Sequence, residues 1–219
     1  MKIFLSSHNF GQHATDLRTL VGDNRRTLLI TNARDYKSPA DRQAVVTEKL
    51  ALFRQEGFEA EELDLREYFA KDPAELEELV SKYDPGLIFC IGGNVFLLAT
   101  ALVISGLDGI IRRRLASDLS VYGGNSAGAM VTARDIEVYE RDELKVEEVG
   151  AYYGMEAVTS GLGLIDQYII PHADQPDRAK ITQFYQQQIS KIGETPIFLG
   201  EDDVYIINGD RYILKQDSQ

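Results

Sequence analysis

The chain has 219 residues, 44% of them apolar and 26% charged, a balance that fits one substantial globular core and excludes a disordered or membrane-embedded chain. A net charge of −12 argues against a nucleic-acid partner, because phosphate binding needs a concentrated basic surface. A single cysteine, Cys90, excludes an intramolecular disulfide framework and fits a reducing compartment.

The chain opens on Met1-Lys2-Ile3-Phe4-Leu5, and the polar Ser6-Ser7-His8-Asn9 follows at once. That apolar stretch is too short for a signal peptide, and no run approaches the roughly 18 apolar residues of a membrane span. A cytoplasmic location with no membrane contact is therefore expected. Predicted strands follow at Lys2–Ser6, Thr27–Thr31, Glu59–Asp64, Leu87–Ile91, Leu119–Gly123, Gln167–Ile170 and Ile197–Leu199. Helical spacing fills the intervals. Val45, Val46, Leu50, Leu52 and Phe53 form one apolar face. Leu76, Leu79, Val80 and Tyr83 form another behind Asp72-Pro73, an N-cap followed by proline at the first helical position. Arg112-Arg113-Arg114 closes a predicted helix, where cations complement the dipole, and is expected to be solvated. The acidic stretch from Arg134 to Thr159, with Glu140, Asp142, Glu143, Glu147 and Glu148, is the least regular and is expected to be a surface loop or flap. Gln175 to Ile192 reads as a helix, and Val204–Ile207, Asn208-Gly209-Asp210 and Arg211–Leu214 as a terminal hairpin.

Strands alternating with helices imply a three-layer, doubly wound, mostly parallel sheet in a single domain spanning 1–219. Ligands of such sheets bind beyond the C-terminal ends of the strands. Three segments carry chemistry there. In Val121-Tyr122-Gly123-Gly124-Asn125-Ser126-Ala127-Gly128-Ala129-Met130 an apolar strand runs into G-x-S-x-G, the nucleophile elbow, and then into a helix start. Small neighbours let the tight turn push the Ser126 hydroxyl into the cleft and set the Ala127 N–H where an oxyanion would form. Gly92-Gly93-Asn94 ends another strand, where glycine N–H groups can supply a second donor before a helix that begins near Val95. No G-K-[ST] follows, so this is not a phosphate loop. Ile169-Ile170-Pro171-His172 places a histidine at the same edge, with a pKa suited to a general base. Glu201, with Asp202 as its rival, is the candidate to orient that imidazole. His8 and His13 are expected to be surface residues, and Cys90 a buried structural thiol. No cluster has metal-ligand spacing, so neither metal nor cofactor is expected.

These stations together resemble peptidase family S51, the aspartyl dipeptidases (peptidase E) and cyanophycinases. The likeness rests on Gly92-Gly93-Asn94 with Phe96 and Leu97, on Gly124-x-Ser126-Ala127-Gly128-Ala129, and on Gly161-Leu162-Gly163-Leu164 leading to Pro171-His172. It implies a flavodoxin-like sheet related to class I glutamine amidotransferases and a Ser126–His172–Glu201 triad. It also implies oxyanion donors at Gly93 and Ala127 and a small peptide as substrate. Asn94 and Arg178 are expected to contact that substrate. Two other readings keep the same cleft: a non-catalytic binder or sensor of a small acidic ligand, and a cyanophycinase-type peptidase acting on a polymer. An amidotransferase is disfavoured by serine in place of cysteine at the elbow.

Overall fold

Alternating side chains along each strand partition the core into two halves. The computed structural model describes residues 1–10, 12–141 and 146–215, and of Glu147 and Glu148 the backbone alone. Five parallel strands, β1 (Lys2–Ser6), β2 (Arg26–Ile30), β3 (Glu59–Glu62), β4 (Leu87–Cys90) and β5 (Val121–Asn125), line up in the order β3-β2-β4-β5-β1. The hairpin β8 (Val204–Asn208) and β9 (Arg211–Lys215) continues the sheet antiparallel to β1. Ile3, Leu5, Leu28, Ile30, Ile88, Cys90, Tyr122, Tyr205 and Ile207 point into one half of the core. Their strand neighbours Phe4, Leu29, Leu87, Phe89, Val121, Val204 and Ile206 point into the other, as the two-residue period of a sheet covered on both faces demands.

Helices α1 (Ala14–Val21) and α2 (Pro39–Gln55) cover the second face. The first is covered by α3 (Pro73–Tyr83), α4 (Val95–Ser105), α5 (Leu107–Ala116), the single turn α6 (Ala127–Met130), α7 (Val146–Tyr153) and α8 (Ala179–Lys191). Ser38 and Asp72 cap α2 and α3, each with proline next in line. Nine of the eleven residues of α4 are buried, so it is a core helix without a polar face. Among the described residues no single helix is long and apolar enough to cross a membrane, and α4 and α5 meet at a bend of 82°.

Three expectations change. Residues 167–170 and 197–199 do not join the main sheet. They supply β6 (Ile169–Ile170) and β7 (Ile197–Phe198), a separate parallel pair. Arg114 is not solvated: it is 8% exposed and ties Ser120 Oγ (2.7 Å), Asp84 Oδ1 (2.7 Å) and the Pro85 carbonyl (3.2 Å) together. The stretch from Arg134 to Thr159 contains α7 and a buried tyrosine, Tyr139, whose hydroxyl donates to the Ile169 carbonyl (2.9 Å) and accepts the Ile169 N–H (3.1 Å). Asp142 and Glu143, named above in that stretch, lie outside the described residues, as do the side chains of Glu147 and Glu148.

Candidate active site

At the end of β5 the chain turns so sharply that Ser126 takes φ 49° and ψ −112°, left-handed backbone that only a well-braced serine retains. The brace is close packing. A Cβ on Gly124 would sit 2.3 Å from the Gly128 carbonyl oxygen, and one on Gly128 would sit 2.0 Å from that of Cys90. Glycine is therefore required on both sides of the serine. Cys90 lies beneath, and burial pushes its thiol up to about 12, so it stays protonated and inert.

His172 also has a positive φ, 59°. Its backbone N–H donates to Ser7 Oγ (3.0 Å), which itself donates to the Leu199 carbonyl (3.0 Å). This buried serine anchors the β6–β7 pair to the end of β1. From that position His172 Nε2 lies 3.1 Å from Ser126 Oγ, and Nδ1 lies 2.7 Å from Glu201 Oε2. Glu201 follows β7, and its N–H donates to Asp174 Oδ1 (2.9 Å). The structure thus brings Ser126, His172 and Glu201 into one line. The carboxylate at the imidazole belongs to Glu201 rather than Asp202.

After β4, Gly92 packs on the serine, a Cβ there falling 2.8 Å from Ser126 Cβ, and Gly93 follows it in the lining of the same cleft. A Cβ on Gly93 would lie 2.1 Å from the Ala33 carbonyl oxygen, the same oxygen that accepts the Asn94 N–H (2.8 Å). Among the described residues neither the Gly93 nor the Ala127 N–H has an acceptor within the protein, leaving both available beside Ser126. The Oδ1 of Asn94 caps α4, accepting from Phe96 N (2.9 Å) and Leu97 N (3.1 Å). Asn94 nevertheless lines the cleft with Gly93, Ser126, His172, Glu201 and the exposed Arg178.

This cleft encloses about 630 Å³. A larger groove of about 750 Å³ beside β3 and α3 contains neither serine nor histidine. The cleft is also lined by residues with no site role in the sequence, among them Ser7, His8, Arg34, Arg141 and Asp177. Ser7 is the anchor just described. His8 is exposed, as expected of it, yet its Nδ1 lies 3.5 Å from Glu201 Oε1. Arg34 and Arg141 add cationic lining, and Arg141 also donates from Nε to the Tyr185 hydroxyl (3.1 Å). His13, by contrast, lies outside the cleft and pairs with Asp16 (2.9 Å). Among the described residues no group of three or more His, Cys, Asp or Glu side chains is placed to hold a metal ion.

An elbow serine facing a carboxylate-backed histidine, on a mostly parallel sheet with helices on both faces, is the architecture of an α/β peptidase. The chain belongs to peptidase family S51, whose model matches residues 4–214. It is similar in structure to a peptidase E candidate from Listeria monocytogenes EGD-e, with TM-score 0.74, 22% identity and coverage of 99% of this chain and 98% of that one. It is also similar to a peptidase from an acI-B1 Actinobacterium, with TM-score 0.72, 20% identity and coverage of 99% and 88%. At these identities the likeness is one of fold. No curated protein matches the chain.

Proposed function

We propose that this protein is a serine peptidase that hydrolyses short peptides, Asp-X dipeptides among them, through an acyl-enzyme on Ser126. The observation that carries the reading is the continuous contact from Ser126 Oγ through the His172 ring to Glu201, at 3.1 and 2.7 Å. His172 Nε2 accepts the Ser126 proton as Oγ attacks the carbonyl carbon. The Gly93 and Ala127 N–H groups receive the oxyanion, and Glu201 holds the imidazolium. His172 then passes the proton to the leaving amine, the C–N bond breaks, and water activated by the same imidazole releases the acid. Positive φ at both Ser126 and His172 supports the assignment, since strain held at a cleft is a mark of functional positions. An arginine-lined cleft in a chain of net charge −12 favours a small acidic substrate.

Incubation with a fluorophosphonate probe and with a panel of dipeptides tests the reading. Labelling at Ser126 together with turnover of Asp-X peptides is expected. Absence of both would favour a binding protein on the same fold.

The role given to Glu201 has its own test. Glu201→Gln keeps the shape but removes the charge that stabilises the imidazolium, and kcat is expected to fall about 10⁴-fold. Asp202→Asn should change kcat by less than about threefold, since no hydrogen bond to His172 is lost. Equal losses in steady-state assays would put the third member of the triad elsewhere.

A further inference from the structure

The peptide that carries the Gly93 N–H is clamped on both sides. Ahead of it, the Gly92 N–H donates to Oδ1 of Asn125, the residue before the elbow serine (3.2 Å). Behind it, the Asn94 N–H donates to the Ala33 carbonyl (2.8 Å), against which Gly93 packs so closely that a Cβ would fall 2.6 Å from the Ala33 carbonyl carbon. Two flanking hydrogen bonds leave the intervening peptide little room to rotate. The direction of the Gly93 N–H therefore follows the position of Ala33 as much as that of the elbow. Such a donor works only when it is aimed in advance at the place where the oxyanion develops.

Ala33 is held in turn from a distant part of the chain. It is the middle residue of the 3₁₀ turn Asn32–Arg34, which closes with the Arg34 N–H on the Thr31 carbonyl (2.9 Å) and the Asp35 N–H on the Asn32 carbonyl (3.1 Å). The Asp35 side chain is fully buried and accepts from Arg42 Nε (2.6 Å), Asn32 Nδ2 (2.8 Å) and the Tyr153 hydroxyl (2.7 Å). The Tyr152 hydroxyl donates to the Asp35 backbone carbonyl. Both tyrosines end α7, which packs against α4, the helix that Asn94 caps. Arg42 supplies the charge that Asp35 needs, and Tyr153 adds direction. Its ring stands edge-on to Phe69 with centroids 5.1 Å apart, so the hydroxyl has a fixed aim. Without that hydroxyl, Asp35 and the turn above it are free to shift, and the Ala33 carbonyl shifts with them.

We infer that Tyr153 is a positioning residue for the oxyanion donor: through Asp35 and the Asn32–Arg34 turn its hydroxyl fixes the Ala33 carbonyl, and through that carbonyl the aim of the Gly93 N–H. This rests on the serine-peptidase reading above. Tyr153→Phe removes one oxygen and keeps the ring. Three measurements on it and on the wild type form the test: hydrolysis of the best dipeptide of the panel across pH, the rate of Ser126 labelling by a fluorophosphonate, and deuterium exchange of the Asn94 amide. In the variant kcat should fall about 10-fold with KM unchanged, less than the roughly 10²–10³-fold lost when a donor is removed outright. Labelling should slow by the same factor, since the phosphoryl oxygen takes the oxyanion position. The Asn94 N–H should exchange faster, and the pH profile should stay where it is, because the His172–Glu201 pair is untouched. A lowered Tm with unchanged kcat would reduce Tyr153 to structural support. A loss confined to KM would assign it to substrate binding, and a shifted pH profile would route its effect through His172. An Asn94 amide that exchanges as in the wild type would break the path through Ala33. Each of these overturns the inference and leaves the peptidase standing. A wild type that neither turns over any dipeptide nor is labelled at Ser126 removes the peptidase and the inference together.

Discussion

Ser126→Ala is expected to lower kcat about 10⁶-fold, the loss seen when a triad serine is removed and only binding and the oxyanion donors remain. The size follows from the arrangement. With the hydroxyl gone, His172 Nε2 loses its 3.1 Å partner and Glu201 orients a base that has nothing to deprotonate. Stability should barely change. Alanine at φ 49° carries much the same steric cost as serine, and among the described residues Ser126 Oγ makes no other hydrogen bond within the protein. A Tm within about 2 °C of the wild type, alongside abolished turnover, separates lost chemistry from lost folding. Retention of even a tenth of the activity would remove Ser126 from the mechanism.

The largest effect on stability is expected at Arg42. Its guanidinium, 7% exposed, contacts Asp35 (2.6 Å), Glu62 (2.8 Å) and Asp64 (3.3 Å), and Asp35 is completely enclosed. Burial acts to raise the Asp64 pKa, but the hydrogen bond from Arg66 and the charge of Arg42 outweigh it and hold that carboxyl below its ordinary range. Burial, together with the Asp35 carboxylate, pushes the Tyr153 phenol up, so it remains a donor. Arg42→Met fills a similar volume and leaves the enclosed Asp35 carboxylate with only the longer Arg66 pair (3.7 Å), at a cost of about 3–5 kcal/mol. For a chain of this size that corresponds to about 6–20 °C in Tm. Arg113→Ala, which removes a surface pair with Glu77, should cost less than about 1 kcal/mol. Urea titration of both variants is the check. A loss at Arg42 no greater than that at Arg113 would mean that the buried Arg42–Asp35 contact contributes no more than a surface pair.

What could be read from the chain alone follows from how local each signal is. Strand and helix alternation, the cap at Asp72, the elbow glycines and the terminal Asn-Gly hairpin depend on neighbours within a few residues, and each stands where the spacing put it. His172 is set apart from the two other histidines by its place after an apolar run. His8 follows β1 in the same way and lines the cleft, but the polar segment around it reads as surface. The spacing of Val146, Val149 and Tyr153 carried a helical signal for α7 that the surrounding acidic residues masked. Other features have no local signature. Residues 167–170 look like any buried strand, and only tertiary pairing reveals that Ile169 and Ile170 match Ile197 and Phe198 rather than the main sheet. Arg114 reads as one of three surface cations until Ser120 and Pro85 close over it. Arg34 is a lone arginine in a polar loop. Its position depends on Asp35, Arg42 and Tyr153, residues scattered over more than a hundred positions.

The separation of β6 and β7 from the main sheet has a mechanical consequence. His172 and Glu201 each lie a few residues beyond one strand of the same two-stranded plate, while Ser126 stands on the large sheet. A shift of the plate as a body leaves the imidazole–carboxylate distance alone and changes only the gap between imidazole and hydroxyl. In the mechanism proposed above, proton transfer then depends on one coordinate, and Ser7 ties the plate to the end of β1 through both the His172 N–H and the Leu199 carbonyl.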